Sequence, residues 1–239
     1  MPAYQAAATL DRAIESVRAQ QFDKFELRIV DDGSRDATAE LAAAHMRDDP
    51  RILVHRHVVN RGAAVARNRA IRAARGRYIA FLDADDTWTP DKLARQVGFM
   101  QARGHAFTYT GFWYQSADSG ARQAVVPPAR VSHDRLLRGN VIGCLTAIYD
   151  RHQLGRVEMP HLTLRQDYAL WLALLRRLPF AYGLTDPLAT HYRSAGSLSA
   201  QRGRALMATW RMYRQTEGLS RAKSAWCLGH HLTGRLWRD

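Results

Sequence analysis

The chain has 239 residues, 46% of them apolar, which is enough to bury the core of one generous domain or two small ones and excludes intrinsic disorder. Two cysteines, Cys144 and Cys227, stand outside any CxxC pair, which argues against a disulfide scaffold, a structural zinc site or a redox motif and fits a reducing cytoplasm. Lys+Arg 35 against Asp+Glu 22 gives a net charge of +13, which points to polyanionic neighbours: nucleic acid, an anionic membrane surface or a phosphorylated ligand.

In chain order, Leu10, Ile14 and Val17 follow helical spacing after Thr9, and residues 26–30 read as a strand running into the loop Asp31-Asp32-Gly33-Ser34. A helix over 36–45 and an alternating strand over 51–57 follow. Asn60-Arg61-Gly62 turns the chain into a helix over 63–74, with Gly76 expected as the left-handed residue that closes it. Residues 78–82 form a buried strand that delivers Asp83-Ala84-Asp85-Asp86, after which Thr89-Pro90 caps and starts another helix. Strands alternating with helices predict an α/β fold with a mostly parallel central sheet covered by helices. Ligands of such sheets bind at the carboxyl ends of strands, where both aspartate clusters fall.

The second half is more mixed. Residues 106–114 and 123–126 are expected as strands joined by a polar turn, and 132–138 as a short helix stopped by Gly139. An apolar helix over 167–177 carries Asp167 in its first turn, and further strands are expected between 180 and 192. The longest apolar run, Tyr168 to Leu175, has eight residues against the roughly 20 of a membrane-spanning helix. Met1-Pro2-Ala3-Tyr4 also lacks the basic start and apolar stretch of a signal peptide.

Asp83, Asp85 and Asp86 crowd three carboxylates onto one loop, and their repulsion raises their pKa values unless a cation shares the site. A partly hydrated Mg²⁺ or Mn²⁺ with hard oxygen ligands, bridging to a diphosphate, answers that chemistry; capping of the next helix is the plainer alternative.

The series Pro2-Ala3-Tyr4, Val30-Asp31-Asp32-Gly33-Ser34-Arg35-Asp36, Asn60-Arg61-Gly62, Ala66-Arg67-Asn68, Ala74, Gly76 and Tyr78-Ile79-Ala80-Phe81-Leu82-Asp83-Ala84-Asp85-Asp86 resembles the family-two inverting glycosyltransferases of A-type nucleotide-sugar-binding fold, in their polysaccharide-assembly branch. The resemblance covers roughly residues 1–200. It implies that Pro2 and Ala3 place Tyr4 to stack on the base, that Asp32 accepts the imide N–H of uracil, and that Asp83, beside Ala84, binds the ribose. Asp85 then ligates the metal and Arg67 lies near the nucleotide. A carboxylate accepting from an imide N–H selects uracil over cytosine, which offers no such donor. Read by residue type alone, Tyr4 could cover the sheet, Arg67 could be a solvated helix cation, and Asp36 is a helix cap.

Inverting transfer needs a base on the acceptor hydroxyl. Leu164-Arg165-Gln166-Asp167-Tyr168-Ala169-Leu170-Trp171-Leu172 is similar to the family segment that normally reads Glu-Asp, so Asp167 is the expected base, with Gln166 in place of the glutamate. Asp86, Gln166 and Trp171 are expected on the acceptor or sugar side, Trp171 sharing a helix face with Asp167; capping by Asp167 and core packing by Trp171 are the alternatives. Many relatives carry a further apolar segment before Pro-Ala-Tyr, so either the first strand is truncated or the start is misassigned, and an upstream extension is expected to stabilise the fold. Gln5 stands where Asn is usual. The run His191-Tyr192-Arg193-Ser194-Ala195-Gly196-Ser197 lacks the family's late histidine, and His191 is either its substitute as a metal ligand or a structural strand-end residue.

From Ala200 onward eight cations face Glu217 and Asp239, placing +6 of the +13 in the last 40 residues. Leu206, Trp210 and Tyr213 fall at i, i+4 and i+7, and Leu232 and Leu236 repeat that pattern, which predicts two amphipathic helices. Trp210, Trp226 and Trp237 among these cations would suit an interfacial helix on an anionic leaflet, with packing of the stripe on the domain as the alternative. The expected division is a glycosyltransferase domain over 1–199, with a nucleotide-binding half over 1–104 and an acceptor half over 105–199, then a basic helical appendage over 200–239.

The resemblance therefore implies an inverting, Mn²⁺- or Mg²⁺-dependent hexosyltransferase. It would move a sugar from a uridine diphosphate (UDP) donor to a glycan, a lipid-linked surface polysaccharide intermediate, on the cytoplasmic face of the membrane. A nucleic-acid-binding module would draw on the pI of 10.5, but aspartates at strand ends would repel phosphate without a metal. A sugar nucleotidyltransferase would need a glycine- and lysine-rich phosphate loop, which this sequence lacks.

Overall fold

Short apolar runs alternating with helices build the first third of the chain as parallel strands. In the computed structural model, which describes residues 1–116, 119–193 and 198–236, β1 (Pro2–Ala3) pairs with β2 (Leu27–Asp31), and β2 with β3 (Ile52–Arg56). The crossovers are α1 (Leu10–Arg18) and α2 (Thr38–Asp48), and α1 buries the Leu10, Ile14, Val17 stripe read from the sequence. Strand β1 is short and engages only Val30 and Asp31 of β2.

Helix α3 (Ala63–Ala73) leads to β4 (Tyr78–Ala80). Gly76 does not terminate α3 in a left-handed conformation. Ala74 leaves the helix extended, and the N–H groups of Arg75 and Gly76 donate to Glu26 Oε1, which draws the exit toward the neighbouring strand. After β5 (Thr87–Trp88), α4 (Lys92–Arg103) starts later than expected, because the Thr89 hydroxyl donates to Asp91 Oδ1 at 2.6 Å instead of capping the helix.

The remaining elements are β6 (Phe107–Ser116), β7 (Arg122–Val125), β8 (Arg130–Val131), α5 (His133–Leu137), β9 (Ile148–Asp150), α6 (Arg151–Leu154), α7 (Gln166–Leu175) and β10 (Ala181–Arg193). The second sheet runs β4-β9-β6-β10-β5, with β7 on β6 and β8 on β10. Only β6 and β10 are parallel in it; every other pair is antiparallel. The α/β class stands, but the mostly parallel sheet is confined to β1–β3 and to β6 with β10. A parallel return needs a crossover of about a dozen residues, which the short link from β6 to β7 cannot supply. Part of that link, residues 117–118, lies outside the described residues. An apolar cavity of about 330 Å³ separates the sheets, lined by Leu27, Ile79, Phe81 and Trp88 among others, with Met1 and Pro2 at its wall.

The larger core surrounds α7, where Tyr168, Leu170, Trp171, Leu172 and Leu174 are all buried. Two further helices, α8 (Leu198–Gln215) and α9 (Arg221–Leu236), pack here through Met212, Tyr213 and Cys227. The Tyr168 and Tyr213 hydroxyls donate to the carbonyls of Leu136 and Leu137, each at 2.6 Å, satisfying the C-terminal end of α5. Tyr213 thus packs on the domain, while Leu206 and Trp210 are half-buried and Met207, Arg211 and Trp226 are exposed. Residues 194–197, Trp237 and the side chains of Leu232 and Leu236, all part of the sequence expectations, lie outside the described residues. No helix among the described residues is long and apolar enough to cross a membrane.

Candidate active site

The carboxyl ends of β2 and β4 converge on a cleft of about 500 Å³. Its walls come from Pro2, Ala3, Tyr4 and Gln5, from Asp32, from Asn60, Ala63 and Arg67, and from Asp83, Ala84 and Asp85. The cleft therefore gathers every residue expected at the nucleotide together with the expected metal ligand Asp85. Tyr4 lines the cleft and is 48% exposed. Behind it Gln5 adopts φ 48°, a conformation fixed by its N–H donating to Ser34 Oγ at 3.0 Å.

Asp32 is held by its neighbours through both carboxylate oxygens. Its Oδ1 lies 2.7 Å from His57 Nδ1 and accepts from the Arg61 N–H at 3.0 Å, while Oδ2 accepts from the Gly62 N–H at 2.7 Å. The Arg61 N–H is shared with Oδ2 at 3.1 Å, and Asp32 is 2% exposed. Two glycines make this loop possible. Gly33, at φ 76°, would drive a Cβ to 2.7 Å from the Val59 backbone, and Gly62, at φ 91°, turns its N–H onto Asp32 at the start of α3.

Arg67, one turn into α3, forms an ion pair with Asp83 beneath the cleft. Burial opposes its charge, and the Asp83 and Asp167 carboxylates more than offset that. Asp167 occupies the first turn of α7, within electrostatic reach of Arg67 and Asp83. Burial pushes its pKa up, with Arg67 and the Tyr168 N–H pulling against the shift. Gln166 Oε1 beside it is buried and has no hydrogen-bond partner, a costly state that an incoming donor would relieve.

None of the three expected acceptor-side residues, Asp86, Gln166 and Trp171, lines this cleft, and neither do Asp167 and His191. Trp171 is 0% exposed and packs edge-on to Phe81, with ring centroids 5.3 Å apart, because the face of α7 that carries it is the one that fills the core. Asp86 is 2% exposed, and its Oδ1 accepts from the Tyr192 N–H at 3.3 Å and meets His191 Nδ1 at 2.9 Å, so it anchors the end of β10. That contact leaves Nε2 of the half-buried His191 as its available nitrogen. Burial raises the Asp86 pKa to about 6, and burial followed by the charge of Asp83 raises that of Asp85.

A hard divalent cation fits the donor set at Asp83 and Asp85. Among the described residues no three Asp, Glu, His or Cys side chains converge into a ready cage. Mg²⁺ and Mn²⁺ sites tolerate that, since such ions keep waters and phosphate oxygens as ligands beside one or two carboxylates. Sequence reasoning missed Arg12, whose guanidinium donates to the Asp85 carbonyl at 3.0 Å and lies 3.6 Å from the centre of the Tyr192 ring. It also missed His57, on Asp32, and Cys144, which interacts electrostatically with Arg67, Asp83 and Asp167. Nothing in their local spacing marks them, since each acts across a long sequence separation.

Residues 1–149 match the family model described as Glycosyl transferase family 2. Two similar curated relatives are the putative teichuronic acid biosynthesis glycosyltransferase TuaG of Bacillus subtilis strain 168 and the UDP-Glc:alpha-D-GlcNAc-diphosphoundecaprenol beta-1,3-glucosyltransferase WfaP of Escherichia coli. TuaG is 39% identical over 95% of this chain and 90% of its own length; WfaP is 34% identical over 86% and 80%. Among solved structures, TarS 1–349 of S. aureus in complex with UDP superposes with a TM-score of 0.70 at 19% identity, over 97% of this chain and 69% of that one. The mannosyltransferase PcManGT of Pyrobaculum calidifontis, in complex with GDP-Man and Mn²⁺, gives 0.68 at 17% identity, over 97% and 71%.

Proposed function

The chain belongs to glycosyl transferase family 2, and on that premise we propose that it is an inverting, metal-dependent transferase of a hexosyl group from a UDP donor to a glycan. The observation that carries this reading is the single cleft that joins Tyr4, Asp32, Arg67, Asp83 and Asp85, with Asp167 coupled to Arg67 behind it. Tyr4 stacks on the base, Asp32 accepts the uracil imide N–H in place of the shared Arg61 contact to Oδ2, and Asp83 takes the ribose. The half over 1–104 thus binds donor and the half over 105–199 binds acceptor.

Asp85 would hold the Mn²⁺ or Mg²⁺, with His191 Nε2 as a second ligand; bound there, the ion would neutralise diphosphate charge as the leaving group departs. Asp167 removes the acceptor hydroxyl proton as that oxygen attacks the anomeric carbon from the face opposite the diphosphate, which inverts the configuration. Burial raises the Asp167 pKa, which suits a base, and Arg67 pulls against that shift by favouring the carboxylate. Gln166 Oε1 accepts from a second hydroxyl of the acceptor sugar. The diphosphoundecaprenol-linked GlcNAc in the name of WfaP supports a lipid-linked polysaccharide intermediate as the acceptor. Exposed Met207, Arg211, Lys223 and Trp226 on α8 and α9 would meet an anionic leaflet, placing the enzyme on the cytoplasmic face of the membrane.

The test is to incubate the protein with UDP-hexoses, Mn²⁺ and a diphospholipid-linked GlcNAc acceptor, and to read product configuration by NMR. A β-linked product from an α-linked donor is expected. Retention of configuration, or turnover that survives chelation, overturns the corresponding part of the reading.

A further inference from the structure

The segment between α6 and α7, residues 155–165, contains neither helix nor strand, yet it delivers Gln166 and Asp167 to the site. Irregular backbone of this length has no ladder of its own to fix it, so its position depends on side chains that reach it from elsewhere. Asn68 reaches it twice. Its Nδ2 donates to the Met159 carbonyl and its Oδ1 accepts from the Met159 N–H, both at 2.8 Å, across 91 residues of sequence. Asn68 is 1% exposed, and both bonds are shielded from water. Arg72, one turn further along α3, pairs with Glu158 at 2.6 Å. At the far end of the segment Arg165 takes φ 68°, an unusual conformation for a side chain of its size, and donates through Nε to the Thr209 hydroxyl on α8 at 3.0 Å.

Arg67 and Asn68 are neighbours on one helix. The first is paired with Asp83 on the donor side, and the second grips the segment that carries Asp167. We propose that Asn68 is a positioning residue: by bridging both backbone groups of Met159 it makes α3 a fixed spacer between Asp83 and Asp167, and so sets the distance from the base to the donor. The inference rests on Asp167 being the base. Asn68 touches neither donor nor acceptor; loss of its amide lets the segment move as a unit relative to α3, and a displacement of about 1 Å at a base can cost about 10² in rate.

The experiment compares Asn68→Ala, the nearly isosteric Asn68→Asp, Ile52→Val as a destabilised control in the core of β3, and Asp167→Asn. UDP affinity is measured by calorimetry with Mn²⁺, and UDP release by a coupled assay at a temperature well below every melting point, using the UDP-hexose that the wild-type chain turns over fastest. Expected is a fall in kcat of about 30- to 100-fold for Asn68→Ala and a smaller fall for Asn68→Asp. UDP affinity and donor KM should stay within about twofold, and Ile52→Val should keep its kcat. Unchanged kcat in a folded Asn68 variant overturns the proposal, as does parallel loss of kcat and UDP affinity. If Asn68→Ala does not fold, Asn68→Asp decides; if neither folds, Asn68 serves the fold alone and the proposal fails. Near-normal kcat in Asp167→Asn would instead remove the premise, an outcome separable from the others.

Discussion

His191 Nδ1 stands 2.9 Å from Asp86 Oδ1 and so joins the end of β10 to the aspartate loop across 105 residues of sequence. An imidazole held through Nδ1 presents Nε2 in a fixed direction, the way carboxylates orient metal-binding histidines. The Asp85→Ala substitution should abolish the Mn²⁺-dependent part of UDP binding. His191→Ala should weaken it about tenfold, at the low end for loss of a group that orients or supplements a metal site. Calorimetry with and without Mn²⁺ measures both, and an unchanged UDP affinity in His191→Ala would assign the residue to anchoring β10 alone.

Asp167 is the group on which turnover depends in the proposed mechanism. Asp167→Asn keeps the shape of the first turn of α7 and removes only basicity, so UDP affinity should be retained while kcat falls by about 10² to 10⁴. The raised pKa carries a sign. The base works only when ionised, so kcat should fall as pH drops through a value above the ordinary aspartate range. A pH-independent kcat across the acid range would show that another group accepts the proton.

Lys92 gives a stability prediction remote from the chemistry. Its ammonium is fully buried, donates to Gln96 Oε1 at 2.9 Å and lies 4.1 Å from the centre of the Trp88 ring, and burial lowers its pKa to about 7. The folded value lies below the unfolded one, so between about pH 7 and pH 10 the unfolded chain binds more protons and stability rises with pH. Buried Tyr109 and Tyr168, whose hydroxyls ionise less readily in the fold, act in the opposite direction near the top of that range. The difference between wild type and Lys92→Met isolates the lysine. Urea unfolding at pH 7 and pH 9 should show a gain with pH in the wild type that is smaller in Lys92→Met, and equal slopes would contradict a neutralised lysine.

Asp32, Asp83 and Asp85 were legible in the sequence because a carboxylate that follows a buried strand has one place to go, the carboxyl edge of the sheet. Trp171 was not. Spacing of i, i+4 puts it on the face of Asp167, but spacing alone cannot tell which length of that face meets the cleft and which meets Phe81 and Phe107. Sheet direction was only partly legible, since two- and three-residue strands such as β5 and β9 carry no directional signal. Arg12 escaped notice, and Asn68 was read only as part of Ala66-Arg67-Asn68 with no role of its own, because their partners lie 73 and 91 residues away. The buried placement of Trp171 has its own consequence: Trp171→Ala should cost about 3–5 kcal/mol by denaturant unfolding, the usual range for emptying an aromatic core position. UDP affinity in the folded fraction should not change, whereas a lost sugar contact without lost stability would return Trp171 to the acceptor site.

The C-terminal helices divide their surface between two tasks. Thr209, Met212, Tyr213 and Cys227 are buried against the domain, so deleting α8 would strip the core around α7 and could not report on membranes. Arg211 and Lys223 project from the other side of these helices, and Trp226 is 50% exposed with Arg138 5.2 Å from its ring centre. Cations near an anionic leaflet contribute about 1 kcal/mol each, so removing two should weaken binding about 30-fold, and withdrawing an aromatic anchor should weaken it further. The triple variant Arg211→Gln, Lys223→Gln, Trp226→Ala should therefore retain its melting temperature and UDP affinity yet fail to pellet with phosphatidylglycerol vesicles at low salt. Wild type should pellet with those vesicles and not with neutral phosphatidylcholine. Equal pelleting of variant and wild type, or none by either, would mean that this surface does not contact lipid and that the acceptor is drawn to the cleft without help from the tail.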